Sequence, residues 1–205
     1  MTRRAAPHTH ESRHVLAQEA ARIMSEEAVR DFRVAKHKAA ARLGFDTRHL
    51  PMPTNLEVEA ALVERQRLFH AASQPASLRR LRETAREAMR MLNGFEARLV
   101  GPVLSGTADR HAIIYLHVFS DPPEQVAIFL MDKQIPYEVS ARKLRFGAGV
   151  QRTYPMYRFL AGDTPVELTV FKVDGIREAP NSPVDGKPMK RGTLRDLDIL
   201  LASTD

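Results

Sequence analysis

The sequence predicts an α+β fold, in which a mixed β-sheet of about five strands has helices on one face and follows an N-terminal region of about three helices. In the first part of the chain, apolar residues recur every three or four positions, as they do along one face of a helix. Beyond about residue 95, they fall in short runs rich in branched residues, which is typical of strands. One helix start interrupts those runs, and this order favours a mixed sheet covered by helices on one side.

The three helices of the first part are predicted from apolar stripes and from the residues that end them. The first spans residues 11–43 and ends at Gly44, the second spans residues 56–72, and the third spans residues 78–93. The third helix ends before Gly94. Glycine favours a helix end because it readily adopts the left-handed conformation that closes the last turn.

The strands are predicted from runs of branched and aromatic residues between turn residues. They span residues 98–104, 112–119, 137–142, 153–160 and 166–171. After the second strand, Asp121 and Glu124 have the spacing of a helix N-terminus, with Asp121 as the cap. A last helix is predicted for residues 191–202. These elements divide the chain into a flexible N-terminus (1–12), a helical region (13–94) and an α/β domain (95–205).

The composition excludes several kinds of chemistry. The chain has no cysteine, which excludes disulfides, zinc–thiolate sites and thiol catalysis. No apolar stretch of signal-peptide length follows the basic N-terminus, and no run approaches the ~18 apolar residues of a membrane-spanning helix. We therefore expect a cytoplasmic protein that has no membrane partner.

The net charge of +6 lies entirely in the N-terminal half of the chain. Residues 1–100 contain 18 basic and 12 acidic residues, whereas residues 101–205 contain 13 of each. The third predicted helix is the most basic element, and its candidate nucleic-acid-binding residues are Arg79, Arg82, Arg86 and Arg90. The alternative is a solvated helix surface on which these arginines pair with neighbouring glutamates. Nucleic acid, a nucleotide or another protein are the expected partners. We interpret Lys190 and Arg191 as surface residues.

The residues that suggest a binding site lie on the second predicted strand and in the loop between it and the first. The first strand runs into a turn at Gly101, and the small residues Ser105, Gly106 and Thr107 follow. Their backbone N–H groups could donate to a phosphate, although a plain turn explains them equally well. On the second strand, Ile113, Tyr115 and His117 alternate with core residues and share one face.

This arrangement resembles the nucleotidyltransferase superfamily of polymerase-beta-like and small bacterial enzymes. In that superfamily, a hydrophobic residue and Gly precede Gly or Ser, two acids stand on the next strand, and a third acid stands on a later strand. Val100 and Gly101 match the start, and Glu167 matches the third acid. The DPPEQV and VELTVF segments are also similar to bacterial proteins described as nucleotidyltransferase-like.

The departures from the family pattern concern its catalytic residues. Pro102 stands where Gly or Ser is expected, and Ile113 and Tyr115 stand where the first two acids are expected. In the family those acids hold Mg²⁺, which requires hard oxygen ligands. We therefore predict no metal ligands, and Mg²⁺ as a cofactor only if an active site has been rebuilt. Glu167 and His117 are the candidate catalytic residues, and the substrate-binding candidates are Gly101, Ser105, Gly106, Thr107 and Tyr115.

Three hypotheses follow from these observations. The first is a catalytically degenerate nucleotidyltransferase-fold protein that acts by binding a nucleotide, a nucleic acid or a protein. The second is an active Mg²⁺-dependent nucleotidyltransferase with a rearranged site. The third is a helical interaction module carried by an α/β scaffold. Whether the chain is an enzyme remains open between the first two.

Overall fold

The computed structural model describes residues 7–46, 51–69 and 74–203. The chain forms two compact units. The first contains the described residues up to 69 together with residues 183–185, and the second contains the remaining residues from 74 onward. Within the described ranges, none of the helices combines the length and the apolar character needed to cross a membrane.

The first unit consists of three helices, which are α1 (Pro7–Glu26), α2 (Phe32–Leu43) and α3 (Asn55–Phe69). The predicted helix over residues 11–43 is therefore wrong in one respect, since it is divided into α1 and α2. The break contains Ala28, whose φ is 53°, and Asp31, whose carboxylate accepts a hydrogen bond from the N–H of Val34 at 3.0 Å. A side-chain acceptor at this point satisfies a free N–H and begins a new helix.

The N-terminus of the chain departs in part from the predicted flexibility. Residues 1–6 lie outside the described residues, but residues 7–12 belong to α1. Pro7 begins this helix, which is the position where proline is tolerated because the first N–H groups have no partner within the helix. The predicted helix end at Gly44 is confirmed, since this residue has a φ of 68° and closes α2 through bonds to the carbonyls of Ala40 and Ala41.

The second unit contains the sheet and the remaining helices. Its elements in chain order are α4 (Gln74–Met91), β1 (Glu96–Val100), α5 (Pro102–Ser105), β2 (Ile114–Phe119), α6 (Glu124–Asp132), β3 (Glu138–Arg145), β4 (Gln151–Ala161), β5 (Thr164–Phe171) and α7 (Leu194–Ala202). The strand order is β1-β2-β5-β4-β3. Only β2 and β5 are parallel, and the other neighbours are antiparallel. The predicted α+β class and the mixed five-stranded sheet are confirmed.

Helices α4, α6 and α7 pack on one face of this sheet. Their apolar side chains form one core with alternate residues of the strands, and Leu116, Leu168 and Leu197 in that core are fully buried. Alternate residues of each strand point to this face, as expected where side chains alternate between the two sides of a sheet. The residues between them therefore lie on a second face of the sheet.

Helix α4 belongs to the second unit, although the sequence places it in the helical region that ends at residue 94. Its buried residues Leu81, Ala85 and Leu92 lie in the core that includes the sheet. The division therefore falls between residues 69 and 74 of the described chain. An amphipathic stripe requires an apolar partner, but it does not specify whether helices or a sheet supply that partner.

Helix α6 begins later than predicted. Its first residue is Glu124, and the cap position is Pro123 rather than Asp121. The Asp121 carboxylate accepts a hydrogen bond from the backbone N–H of Val173 at 3.1 Å, which lies just after β5. Asp121 thus connects the two parallel strands at their carboxyl ends instead of capping the helix.

The core of the second unit supplies a test of the fold. Leu168→Ala should lower the free energy of unfolding by about 3 kcal/mol, because it removes a fully buried side chain and leaves a cavity. Leu160→Ala makes the same chemical change on the neighbouring strand β4, at a residue that is 65% exposed, and should cost less than about 0.5 kcal/mol. Urea denaturation measures both values. Equal losses for the two variants would contradict the assignment of the faces.

Candidate functional site

The candidate site lies on the second face of the sheet, opposite helices α4, α6 and α7. Parallel pairing places Tyr115 of β2 directly beside Glu167 of β5, and His117 beside Thr169. Ile113 lies one residue before β2. The structure therefore brings Tyr115, His117 and Glu167 to one face, although they differ in their access to solvent.

Glu167 is nearly buried and is neutralised by a cation. Arg142 Nη1 of β3 donates a hydrogen bond to Glu167 Oε2 at 3.0 Å. The same guanidinium lies over the ring of Tyr115, with 4.8 Å between its central carbon and the ring centroid, which is within cation–π range. Arg142 thus extends across β4 to contact residues of both β5 and β2.

This geometry does not favour a metal at Glu167. Its carboxylate is paired with Arg142, and Tyr115 and Ile113 stand at the other two expected ligand positions. Among the described residues, no group of three or more His, Cys, Asp or Glu side chains is placed to hold a metal ion. A Mg²⁺ ion would have to compete with the Arg142 guanidinium for the Glu167 carboxylate.

His117 is buried, with 3% of its surface exposed. Its Nδ1 accepts a hydrogen bond from Arg191 Nε at 3.1 Å, so the imidazole is neutral. Burial, reinforced by the charges of Arg191 and Arg142, lowers the pKa of His117 to about 3. These observations do not favour His117 as a general base, because a base needs access to its proton and a pKa nearer to neutrality.

Arg191 holds this buried end of the face together. Its guanidinium carbon lies 5.0 Å from the ring centroids of both Phe119 and Phe171, and Nη1 donates to the carbonyls of Gly175 and Ile176. Burial lowers the pKa of the Arg191 guanidinium from its ordinary value. Arg191 is therefore partly buried and bound within this unit, which modifies its interpretation as a surface residue.

The loop after β1 is a compact turn rather than an open phosphate cradle. The N–H groups of Ser105, Gly106 and Thr107 donate to carbonyls of the same loop, which are those of Gly101 and Pro102. This corrects the predicted role of these N–H groups, because they already have acceptors. The side-chain oxygens of Ser105 and Thr107 lie 3.1 Å apart. Gly101 adopts a φ of 73°, and a Cβ there would lie 3.3 Å from the Tyr115 ring.

The arginines of α4 are engaged within the second unit. Arg82 is buried, and its Nε donates to the carbonyl of Val103 at 3.2 Å, so its predicted contact with nucleic acid is corrected. Burial also lowers the pKa of the Arg82 guanidinium. Arg79 pairs with Glu83, and Arg86 and Arg90 both lie 3.8 Å from Asp198 of α7. The predicted alternative, a pair with a neighbouring glutamate of the same helix, describes Arg79, whereas the acid near Arg86 and Arg90 lies on α7.

A different basic surface is formed by strands β3 and β4, here called the ribbon (residues 138–161). It carries one acid, Glu138, and five basic residues, which are Arg142, Lys143, Arg145, Arg152 and Arg158. Lys143, Arg145 and Arg158 are exposed. Pairing of β4 with β5 starts at Met156, since the preceding Pro155 has no N–H to donate. Residues 151–155 therefore pair only with β3, and Phe146 and Tyr154 pack this end of the ribbon against Phe171.

Sequence reasoning missed the ribbon because it compared the charges of the two halves of the chain. Residues 101–205 are neutral in sum, which conceals a segment with a net charge of +4. Counting charges for each pair of predicted strands would have found it. The contact between Arg142 and Glu167 had no such signal, because it depends on the strand order.

The chain matches no family model, no characterised protein and no solved structure. The resemblance to nucleotidyltransferases therefore rests on the residues quoted for it, and function has to be argued from the site itself.

The buried imidazole predicts a pH-dependent stability. Between about pH 6.5 and pH 5, the unfolded chain binds a proton at His117 that the native state does not bind, which lowers the free energy of unfolding by about 2 kcal/mol. The contribution is complete above the unfolded pKa and is lost as the pH falls. In His117→Asn, the amide oxygen replaces Nδ1 as the acceptor, so this loss should disappear. Urea denaturation at both pH values measures it.

His111→Asn provides the control, because it changes an exposed histidine of the same unit. This variant should retain the pH dependence of the wild type. An identical pH dependence in His117→Asn and the wild type would show that His117 is not the group responsible.

Proposed function

We propose that this protein binds nucleic acid through the ribbon and the adjoining face of the sheet, and that it does not transfer nucleotides. The observation that carries the proposal is the concentration of five basic residues and one acid in the ribbon, within a C-terminal half that is otherwise acidic. Such segregation produces a local positive field that attracts polyanions.

The shape of the ribbon supports a nucleic-acid ligand. Its basic residues lie on both faces. Arg142 and Arg158 lie on the face of the sheet that carries Glu167, whereas Lys143 and Arg145 lie on the opposite face. A two-stranded ribbon with cations on both faces can contact phosphates on either side of it. A ligand with regularly spaced negative charges satisfies more of these cations than a single nucleotide can.

The charge balance of the site supports binding over catalysis. Phosphoryl transfer requires charge neutralisation and an activated nucleophile, and Mg²⁺ supplies both in the family that the sequence resembles. Here Arg142 supplies positive charge but cannot ionise a bound hydroxyl, and His117 is neutral and buried. The site therefore retains attraction for phosphate without the groups for the chemical step.

Removing charges from the ribbon tests the binding surface. The combined variant Lys143→Gln/Arg145→Gln/Arg158→Gln should bind single-stranded DNA or RNA at least about tenfold more weakly at low salt, because three exposed cations are lost. The slope of the logarithm of the binding constant against the logarithm of salt concentration should fall by about 2, since each single-strand phosphate contact contributes about 0.7. Fluorescence anisotropy with labelled oligonucleotides measures both.

The matched control removes three exposed cations of the same unit outside the ribbon, as Lys133→Gln/Lys172→Gln/Arg195→Gln. Its net charge equals that of the ribbon variant, so a loss caused only by overall charge would appear in both. Equal affinities of the two variants would contradict the ribbon as the surface. Failure of every oligonucleotide to bind the wild type at low salt would contradict the function.

Metal dependence separates binding from transfer. Nucleic-acid affinity should be unchanged by EDTA, and no label should pass from any nucleoside triphosphate to protein or oligonucleotide with Mg²⁺ or Mn²⁺. The reason is that Glu167 is already paired with Arg142. Metal-dependent transfer that Glu167→Ala abolishes would establish the active alternative instead.

A further inference from the structure

Arg142 is fixed in place from two sides, as is Arg152 of the same ribbon. Arg152 donates to Glu178 at 2.6 Å and lies over the Phe146 ring. Arg142 differs from Arg152 in that its acid, Glu167, is nearly buried, whereas Glu178 is exposed.

Arg142 Nη1 is held by Glu167 Oε2 at 3.0 Å, and its guanidinium lies over the Tyr115 ring. Arginine side chains normally lose conformational freedom when they bind a ligand, but here both contacts exist beforehand. The side chain nevertheless remains 38% exposed. It is an ordered planar cation that is open to solvent on one part of its surface.

The residues beneath Arg142 support this arrangement. Tyr115 supplies the aromatic face, and Gly101 approaches the same ring so closely that a Cβ would lie 3.3 Å from it. Glu167 is nearly buried, so Arg142 also compensates a carboxylate that would otherwise be isolated from water. We regard Glu167 as a positioning residue, because it acts on a ligand only through Arg142.

We infer that Arg142 is a stacking platform for an unpaired base, so that the ligand of the ribbon is a single-stranded nucleic acid. This inference rests on the proposed nucleic-acid binding. Guanidinium planes are among the surfaces on which splayed bases stack in protein complexes with single strands. A duplex does not present base faces to such a plane along its length, since its bases are stacked on one another. Arg158, which is exposed and lies directly across from Glu167, is placed to contact the phosphate of the stacked nucleotide.

Charge and stacking can be separated by comparing two single strands of equal length. One carries bases, and the other carries abasic tetrahydrofuran units on the same phosphate backbone. The wild type should bind the base-bearing strand about tenfold more tightly, which is the size of one base-stacking contact. Arg142→Lys keeps the charge but removes the plane, and should lose this preference while retaining affinity for the abasic strand.

Arg195→Lys is the matched control. It makes the same substitution at an exposed arginine of the same unit outside the ribbon, and it should keep the preference for bases. Tyr115→Phe should also keep it, whereas Tyr115→Leu should weaken it because the supporting ring is lost. Circular dichroism and urea denaturation establish that each variant is folded, and Tyr115→Leu provides a second test if Arg142→Lys is not.

The outcomes distinguish this inference from the proposed function. If wild type and Arg142→Lys bind base-bearing and abasic strands with the same ratio, stacking on Arg142 is refuted while nucleic-acid binding stands. Tighter binding of duplex than of single strand would also refute it. If no strand binds, the proposed function itself fails. A 2-aminopurine base gains fluorescence when it leaves the stack of its neighbours, so an increase in its fluorescence with the wild type, but not with Arg142→Lys, is the expected spectroscopic result.

Discussion

The parallel pairing of β2 with β5 is the constraint on which the second unit depends. It joins residues 114–119 to residues 166–171, although the chain between them forms a helix and two further strands. Parallel strands at the centre of a sheet are stable when both faces are covered, and here the helices cover only one face fully. On the second face, the side chains of β2 and β5 therefore have to be covered by residues other than those of the helices.

Different residues cover the second face at the two ends of the β2–β5 pair. Toward the carboxyl ends, Phe119 and Phe171 are buried with His117, and Arg191 closes the cluster by bonding to carbonyls of residues 175 and 176. Toward the amino ends, Arg142 lies over Tyr115 and pairs with Glu167, and the Arg142 side chain remains partly exposed. Both ends use an arginine over aromatic rings, but only the second leaves its cation within reach of a ligand.

Features that depend on residues close together in the sequence were predicted correctly more often than contacts between distant residues. Runs such as those containing Leu116 and Leu168 identified all five strands, because alternation within a strand is a local property. The break at Ala28 contains neither glycine nor proline, and its local signal was Asp31, which caps α2. The contact of Arg142 with Glu167 joins β3 to β5 across β4, and it requires a strand order that no local pattern specifies. The site was therefore found in part, through Tyr115 and Glu167, and its cation was missed.

The single carboxylate at this end of the face explains why one cation of the chain is sufficient to neutralise it. Further carboxylates at positions 113 and 115 would repel phosphate unless additional cations neutralised them. With Glu167 as the acid, one guanidinium is sufficient, and its positive charge does not dissociate or depend on metal supply. The aromatic ring at position 115 has a role that an acid could not have, since it supports the guanidinium. Tyr115, Glu167 and Arg142 together thus provide an ordered, metal-independent contact for a polyanion, which is the physical basis of the function proposed for this chain.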